Sequence, residues 1–330
     1  MDNATRHNII WRPSRRDVLL LGVGGFVAAV PFARRRPLPV VRRNVLTMGT
    51  IAEFAVAHRE PAQAHAAIDR AVEALRFVDD TMSRFKPSSD VGRANLRAAH
   101  AVVGICADTR DVLNEGLRWA DASGGAFDPC IGRATALWDV THRKEPPATA
   151  EVTRIAGRAL YRQLEISERA GSPVVRFHDP DVQIDLGGIA KGYAVDRAVA
   201  ALRKQGVEHA LVGAGGDIYA LGTSPSGEPW RVGIQSPDDP NELAGALRLE
   251  NAAIATSGDY RQFFEHGQRR YHHLLDPSTA APRQSSQRSI SVIAETCMAA
   301  DAAATLAFGT RLAGVERILA KHGARIAHRI

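Results

Sequence analysis

Residues 185–191 place one acid, two glycines and one lysine in a single short segment, Asp185-Leu186-Gly187-Gly188-Ile189-Ala190-Lys191. An apolar strand is predicted before Asp185 and a helix after Gly188. Paired glycines let the backbone approach a ligand, and free N–H groups at a helix start favour anions. A lysine supplies a point charge for phosphate, and a carboxylate can assist a metal ion. The segment therefore predicts a phosphate site, although an ordinary strand–turn–helix unit would also explain it.

The alanine-rich segment 299–305, AADAAAT, contains a second pair of candidate residues, Asp301 and Thr305. Because they are four positions apart, their oxygens lie on one face of a helix. Carboxylate, hydroxyl, backbone carbonyl and phosphate oxygens suit Mg²⁺, which proteins usually hold through few side chains and substrate phosphates. The spacing alone favours the simpler alternative, a solvated aspartate and a threonine bonded to its own helix backbone.

Two further polar positions could take part in such chemistry. His273, in the segment YHHLLDP at 271–277, could act as a base near neutral pH, although a lone histidine beside apolar residues is by default structural. Thr256 and Ser257 open a predicted polar turn, TSGDY at 256–260, after an apolar strand. Their hydroxyls could hold phosphate or ribose, but ordinary turn chemistry explains them equally well.

The elements that must position these residues follow from periodicity and end signals. Helices are predicted at residues 61–82, 108–122, 189–205, 298–308 and 313–321. A strand is predicted at 47–57, a surface loop at 141–150, and short strands through much of the chain beyond residue 160. Because strands and helices do not alternate strictly, a doubly wound parallel sheet is not expected. The pattern instead predicts an α+β fold with mixed or antiparallel sheets and packed helices.

Two glycine-rich segments do not match common nucleotide loops. The segment GAGGD at 213–217 lacks the sixth-position glycine and the following helix of a Rossmann fingerprint, and residues 187–192 lack the spacing of a P-loop. Asp217 is still expected near the ligand-binding cleft of the protein. The cysteines, Cys106, Cys130 and Cys297, are odd in number and lack metal-type spacing, so free thiols are expected, with a bridge from Cys106 to Cys130 left open.

Composition places this chain of 330 residues among soluble globular proteins, with 45% hydrophobic and 24% charged residues. Its net charge of +6 is partly local, because arginines are concentrated in the first 43 residues. Nucleic-acid binding is therefore not expected, since that function needs a basic face on the folded part.

The N-terminus predicts export. The segment SRRDVLL at 14–20 resembles a twin-arginine signal, and an uncharged run follows to Ala33 that is shorter than the roughly 20 residues of a membrane span. Residues 1–33 are therefore predicted to be a signal peptide and 34–44 a basic spacer, with a domain at 45–330. No cysteine follows the uncharged run, so a periplasmic protein without a permanent membrane anchor is predicted.

Taken together, the motifs resemble the ApbE family of FAD:protein FMN transferases. The matching segments follow the family's order: TMGT at 47–50, GAFDP at 125–129, DLGGIAKGYAVD at 185–196, GGDIYALG at 215–222, TSGDY at 256–260 with HLLDPSTAAP at 273–282, and AADAAAT at 299–305. The resemblance implies an ApbE-like, T-fold-like α+β fold with two lobes around a nucleotide cleft. It also implies Mg²⁺-dependent transfer of FMN from FAD to a threonine or serine hydroxyl of an acceptor flavoprotein, with release of AMP.

The resemblance further implies roles for individual residues. The metal ligands would be the Asp301 carboxylate, the Thr305 hydroxyl and the Gly188 carbonyl. His273 would be the general base, Asp185 would help to fix the site, and Lys191 would contact the diphosphate. The other expected nucleotide contacts are Met48, Phe85, Ala126, Phe127, Asp128, Thr256, Ser257 and Leu275.

The chain departs from the family pattern at some positions. Phe85 stands where a tyrosine is frequent, and Ala304 stands where some relatives carry a second acid. Ala280 replaces a glycine, so it would be strained in a turn that needs a positive φ.

Alternatives to the transferase therefore remain open. One is an FAD pyrophosphatase that forms FMN and AMP. Another is a non-catalytic FAD-binding assembly factor for a periplasmic redox system such as nitrous oxide respiration. The acceptor implied by the resemblance is a membrane redox protein with a periplasmic flavin-binding domain.

Overall fold

The computed structural model describes residues 38–310 and 312–330. The helices in this part of the chain are α1 (Pro61–Met82), α2 (Asp90–Arg97), α3 (Ala107–Ala122), α4 (Gly132–Trp138), α5 (Thr149–Ile155), α6 (Ala190–Lys204), α7 (Cys297–Ala307) and α8 (Val315–Lys321). The strands are β1 (Val40–Thr47), β2 (Thr50–Ala57), β3 (Val103–Gly104), β4 (Leu164–Arg169), β5 (Ser172–Phe177), β6 (His209–Ala214), β7 (Asp217–Leu221), β8 (Trp230–Gln235), β9 (Leu243–Leu249), β10 (Ala252–Gly258), β11 (Phe263–His266), β12 (Arg269–His272), β13 (Leu275–Asp276), β14 (Ala281–Pro282), β15 (Ser289–Ala294) and β16 (Ala324–Arg329).

The centre of the fold is a seven-stranded sheet in the described part of the chain, with the order β1-β2-β6-β7-β10-β15-β16. Each neighbouring pair in it is antiparallel. Helices α1, α6 and α7 pack side by side and contact the sheet, while the β8–β9 hairpin covers apolar residues of the opposite face. The predicted α+β class with antiparallel sheets is confirmed.

Alternation along the strands explains why both faces are covered. In β6, Ala210 and Val212 belong to the large core shared with the helices, whereas Leu211 packs in a second cluster with Trp230 and Val232 of β8. Successive side chains of a strand point to opposite faces. A central strand with apolar residues on both faces therefore needs a layer on each side of the sheet.

Smaller units surround this sheet. Strands β3, β5 and β4 form a three-stranded sheet, while β11–β12 and β13–β14 form two-stranded units just before and after His273. A separate apolar cluster joins the β11–β12 hairpin to the end of α4 through Trp138, Val140 and Phe264. These units hold the segment that carries His273.

The five predicted helices are confirmed with boundaries that shift by one or two residues. For α1 the predicted and observed bounds coincide, because Pro61 starts the helix and buried apolar residues recur through it at helical spacing. Sequence reasoning missed α2, α4 and α5. Each spans only seven or eight residues, which weakens the periodic signal, although α8 is equally short and was predicted.

The strand predicted at 47–57 is confirmed over Thr50–Ala57, which is β2, but its start is wrong. The chain turns at Met48 and Gly49, with φ of 53° and 68°, and so joins β1 to β2 as a tight hairpin. A two-residue turn of this kind usually carries Asn-Gly or Asp-Gly, so Met-Gly gave no turn signal. Strand β1 begins at Val40, before the predicted domain start at residue 45. The predicted signal peptide at 1–33 lies outside the described residues.

Cys106, Cys130 and Cys297 are free thiols, as expected, and no bridge joins Cys106 to Cys130. In residues 38–310 and 312–330, no helix combines the length and apolar character that crossing a membrane would require.

Candidate active site

The residues before the glycine pair form an extended segment rather than the predicted strand. Gln183 makes one isolated parallel bridge to Ile131. The side chain of Asn95, on α2, then fixes the next residue: its Nδ2 donates to the carbonyl of Ile184 at 2.9 Å, and the Ile184 N–H donates to its Oδ1 at 2.7 Å. The Asn95 amide therefore pairs with both backbone groups of Ile184, as a neighbouring strand would.

Asp185 shapes the turn that follows. Its Oδ1 accepts the Gly187 N–H at 2.9 Å, and its Oδ2 lies 3.4 Å from Nε of Arg84. Arg84 also lies over the ring of Phe85, with 4.3 Å from its guanidinium carbon to the ring centroid. Phe85 is 78% exposed, so its outer face is free to stack on a ligand. The predicted residues Asp185 and Phe85 are thus linked through Arg84, which sequence reasoning did not select.

A cluster of three charged residues lies where α6, α7 and β7 meet. We call Lys191, Asp217 and Asp301 the charge cluster. Nζ of Lys191 lies 3.0 Å from Oδ2 of Asp217 and 3.0 Å from Oδ2 of Asp301. Both carboxylates are buried, with exposed fractions of 2% and 3%. Asp301 also accepts the Gly192 N–H at 3.1 Å and so binds the first turn of α6. The solvated aspartate that the spacing alone favoured is therefore wrong.

Burial sets the ionisation of this cluster. Burial and the nearby Asp301 charge raise the pKa of Asp217 to about 7. Burial opposes the charge of Lys191, but Asp217 and Asp301 raise its pKa above the usual range. Lys191 is therefore cationic at neutral pH and is shared by two carboxylates. A further cation bound beside the cluster would favour the ionised form of Asp217, and the two carboxylates together would then outweigh the single ammonium.

The predicted metal ligands come together beside this cluster. A Cβ placed on Gly188 would lie 2.9 Å from Cγ2 and 3.0 Å from Oγ1 of Thr305, so only glycine fits against this side chain. Asp301 lies one helical turn before Thr305 on α7. In the described part of the chain, no group of three or more His, Cys, Asp or Glu residues could hold a metal. The carboxylate, hydroxyl and carbonyl oxygens nevertheless fit a hard cation that completes its shell with phosphate and water oxygens.

His273 follows the β11–β12 hairpin and is half-buried. Its N–H and its Nδ1 lie 3.2 and 3.3 Å from the Gln262 carbonyl oxygen. Burial lowers the pKa of His273 to about 4, while the charge of Asp185 acts in the opposite direction and that of Lys191 lowers it further. The imidazole is therefore neutral at physiological pH and can accept a proton. Its neighbour His272 is buried and bonds to backbone groups of the same loop.

The predicted turn at 256–260 is partly wrong, because residues up to Gly258 belong to β10. Ala255 packs in the core with the helices, so alternation places Ser257 on the same face and Thr256 on the other. The Thr256 hydroxyl bonds to Ser291 at 2.8 Å. One strand therefore cannot direct both hydroxyls to the same ligand.

The other expected nucleotide contacts lie in or against the core. Phe127 is 5% exposed, while Met48 and Ala126 pack against the core with partial exposure. The Asp128 carboxylate accepts the N–H groups of Cys130 at 2.8 Å and Tyr161 at 3.3 Å. Burial raises the pKa of Asp128 to about 6. The structure thus gives Asp128 a role in shaping its loop, and its contact with the nucleotide stays a prediction.

Leu275 is half-buried at the start of β13, where its carbonyl oxygen accepts Nε of Arg283 at 3.1 Å. Like Arg84 and Asn95, Arg283 was not selected from the sequence. These three side chains bind residues far along the chain, and their partners are mostly backbone groups. Neither periodicity nor a short motif in the sequence indicates such a contact.

Comparisons with known proteins agree with this geometry. The model of the ApbE family matches residues 48–329. The chain is 30% identical over 316 residues to an FAD:protein FMN transferase of Treponema pallidum, an alignment that covers 91% of this chain and 85% of that protein. The crystal structure of the ApbE protein from Thermotoga maritima superposes with a TM-score of 0.77 at 29% identity, covering 87% of this chain and 93% of that one. The flavin transferase ApbE from Vibrio cholerae superposes with a TM-score of 0.70 at 29% identity, covering 82% and 86%.

Proposed function

The chain belongs to the ApbE family and is an FAD:protein FMN transferase, and we propose that it uses Mg²⁺ to modify an acceptor flavoprotein in the periplasm. The observation that carries the proposal is the charge cluster beside the Gly187–Gly188 turn. Its buried carboxylates and single ammonium suit a ligand that brings a cation and a diphosphate together.

Mg²⁺ would be held by the Asp301 carboxylate, the Thr305 hydroxyl and the Gly188 carbonyl. When bound, the ion would supply Lewis-acid stabilisation of charge on the phosphate oxygens. What supports this ligand set is the contact between Gly188 and Thr305 and the burial of Asp301. The same donors would leave room for substrate oxygens in the remaining positions.

Lys191 would hold the diphosphate of FAD. Its side chain is 28% exposed, so the ammonium can reach a ligand while Asp217 and Asp301 keep it charged. Asp185 maintains the turn at Gly187, and so keeps the backbone of the glycine pair close to the same phosphates. These residues would bind and orient the substrate before the reaction.

His273 would accept the proton of the attacking hydroxyl. The threonine or serine oxygen of the acceptor forms a bond to the phosphorus on the flavin side of FAD, and the bond from that phosphorus to the bridging oxygen breaks. AMP leaves, and FMN stays joined to the acceptor through a phosphoester. A neutral His273 suits a general base at physiological pH.

Mass spectrometry of both products tests the function. The purified protein is incubated with FAD, MgCl₂ and a periplasmic flavin-binding domain of a membrane redox protein from the same organism. We expect the acceptor to gain the mass of one FMN group for each AMP released. Omission of MgCl₂ with added EDTA should stop both changes. Free FMN with unmodified acceptor would identify a pyrophosphatase, and FAD binding without AMP would identify an assembly factor; either result overturns the proposal.

The predicted leader supports the periplasmic location, and charge-conserving substitutions test it. Replacing Arg15 and Arg16 by lysine should retain the precursor in the cytoplasm, because a twin-arginine route distinguishes the two residue types although their charge is equal. The matched control replaces Arg35 and Arg36 by lysine outside the motif and should leave export unchanged. Normal export of the first variant would argue against this route.

A further inference from the structure

Arg283 is a buried arginine whose guanidinium is surrounded by backbone carbonyl groups. It follows β14 and is only 6% exposed. Burial lowers the pKa of Arg283 to about 10, so the side chain remains charged at neutral pH. A buried charge is costly unless its donors are satisfied, which makes the direction of each N–H group informative.

Its donors reach three separate segments. Nε donates to the carbonyl of Leu275 at 3.1 Å, and Nη2 donates to that of Ala126 at 2.7 Å. Nη1 donates to the end of α7, with carbonyl acceptors at 3.0 Å on Thr305, 2.8 Å on Leu306 and 2.6 Å on Phe308. A helix C-terminus has unpaired carbonyls and a partial negative charge, both of which a guanidinium offsets.

Each of these segments carries part of the candidate site. Helix α7 carries Asp301 and Thr305, Ala126 precedes Phe127, and Leu275 follows His273 by two residues. The backbone of Arg283 adds a further bond to the loop that carries His273, because its N–H donates to the Leu274 carbonyl at 2.9 Å.

The side chain of His272 also bonds to both Leu274 and Arg283. Its Nδ1 accepts the Leu274 N–H at 3.2 Å, and its Nε2 donates to the Arg283 carbonyl at 2.9 Å. The loop that carries His273 is thus tied to Arg283 through both main-chain and side-chain groups.

We propose that Arg283 is a positioning residue of the transferase: it sets where the end of α7, the His273 loop and the Ala126–Phe127 segment lie relative to one another. The guanidinium suits this task because it is planar and holds its donors in a fixed fork. The proposal rests on the proposed function, since it assigns these segments to one reaction.

Lysine is the informative substitution. Arg283→Lys keeps the charge, but its three donors leave from one nitrogen, whereas Leu275, Ala126 and the end of α7 are reached from three different nitrogens of the planar guanidinium. Arg283→Met removes the charge as well and reports on packing. Arg248→Lys is the matched control, because Arg248 is 64% exposed on β9 and pairs with Glu228 on the surface.

Hydrogen exchange of the ligand-free protein measures whether Arg283 holds these three segments in place. In Arg283→Lys we expect faster exchange in peptides that cover residues 124–128, 272–276 and 304–309, and unchanged exchange in α1. The rate constant kcat should fall about 10- to 100-fold, since a small misplacement of reacting groups has an effect of this size. The KM for FAD should change much less. Arg248→Lys should match the wild type in every measurement.

Two results would overturn the proposal. One is a kcat of Arg283→Lys within about two-fold of the wild type. The other is exchange that accelerates equally in α1, which would show a general loss of stability; Arg283→Lys decides the question even if Arg283→Met does not fold. A wild-type protein without transferase activity would instead refute the proposed function, while the exchange pattern would still report on the connection.

Discussion

Two regions of the candidate site are held by different kinds of interaction. In the charge cluster, side chains from α6, α7 and β7 bind one another through buried ion pairs. The histidine segment, residues 262–283, depends on backbone hydrogen bonds, an aromatic stack and the carbonyl contacts of Arg283. The first region lies in the main core, whereas the second contributes Leu274 and Ala280 to that core and also packs on a small separate cluster.

The difference separates the two tasks of the reaction. Packed helices give the charge cluster one arrangement, as ligation of a cation and a diphosphate requires. The histidine segment is held largely by loop and hairpin contacts, and its base would meet an acceptor that arrives from outside. Apart from Arg283, which joins the histidine segment to the end of α7, we expect changes in one region to leave the structure of the other intact, and the four predictions below test that independence.

The largest effect is expected from Asp301→Asn in the charge cluster. The neutral amide removes the anionic oxygen ligand, and we expect Mg²⁺-dependent turnover to fall by about 10⁴-fold, since a catalytic ion supplies several kcal/mol. Lys191 keeps Asp217 as its partner, so the fold should persist. Turnover and circular dichroism measure the two effects, and Asp238→Asn on the surface is the control. Full activity of Asp301→Asn would remove its metal role.

His273→Gln should lower kcat by about 100-fold, at the lower end of the range for a general base. His273 should add no limb to kcat/KM between about pH 5.5 and 8, because a base with a pKa of about 4 stays deprotonated over that range. Any limb near pH 7, where Asp217 titrates, should be the same in the wild type and in His273→Gln. As the pH falls towards 4, activity should decline because the imidazole becomes protonated. FAD affinity of the variant should equal that of the wild type. A limb near pH 6.5 that is present in the wild type and lost in His273→Gln would contradict the lowered pKa of His273.

The charge cluster could largely be predicted from the sequence, because its residues lie in compact motifs. Gly188 and Lys191 occupy one segment, and Asp301 and Thr305 are four apart on a helix whose bounds were predicted within one residue. What the sequence could not show is that Asp217 would share Lys191, since strand β7 brings it there only in the folded sheet.

Contacts between segments that are far apart in the sequence could not be predicted. Arg283 binds Ala126 from 157 residues away, and Asn95 binds Ile184 from 89 residues away. In both contacts the partner is a backbone group, which any residue type could supply. The polar residues Thr256 and Ser257 suggested a turn, but pairing with β15 keeps them in a central strand. Tertiary pairing therefore outweighs local turn preference there.

Phe264→Ala should loosen the histidine segment with a smaller effect on activity. Phe264 is buried and stacks on Tyr271 at 5.1 Å between ring centroids, and Tyr271 stacks on Trp138 at 5.5 Å. We expect a loss of about 2–4 kcal/mol in the free energy of unfolding of this region, and a decrease of less than about 10-fold in kcat. Hydrogen exchange should increase in residues 262–276 and stay unchanged in α6 and α7. Faster exchange in α7 would show that the two regions unfold together.

Phe263→Ala is the matched control for that prediction. Phe263 precedes Phe264 in β11, and its ring lies 4.2 Å from the guanidinium carbon of Arg270. It is only half-buried and lies outside the aromatic stack. An equal loss of stability in both variants would mean that the stack does not hold the segment.

The smallest effect is expected from Ala280→Gly, within the histidine segment. Ala280 has a φ of 51°, as its place in the turn predicted, and a left-handed conformation costs an alanine about 1–2 kcal/mol that glycine avoids. Two terms oppose this gain: the loss of a fully buried methyl group, about 0.8 kcal/mol, and the greater freedom of the unfolded chain, about 0.4–1 kcal/mol. The free energy of unfolding should therefore change by less than about 1 kcal/mol. Ala281→Gly is the control: Ala281 lies in strand β14, so glycine relieves no left-handed strain there and should destabilise the protein by about 0.5–1 kcal/mol. If denaturation showed a larger loss in the free energy of unfolding for Ala280→Gly than for Ala281→Gly, packing of the methyl group would outweigh backbone strain in this turn. The contact to test next would then be the bond that Trp138 donates to the Ala280 carbonyl at 2.7 Å.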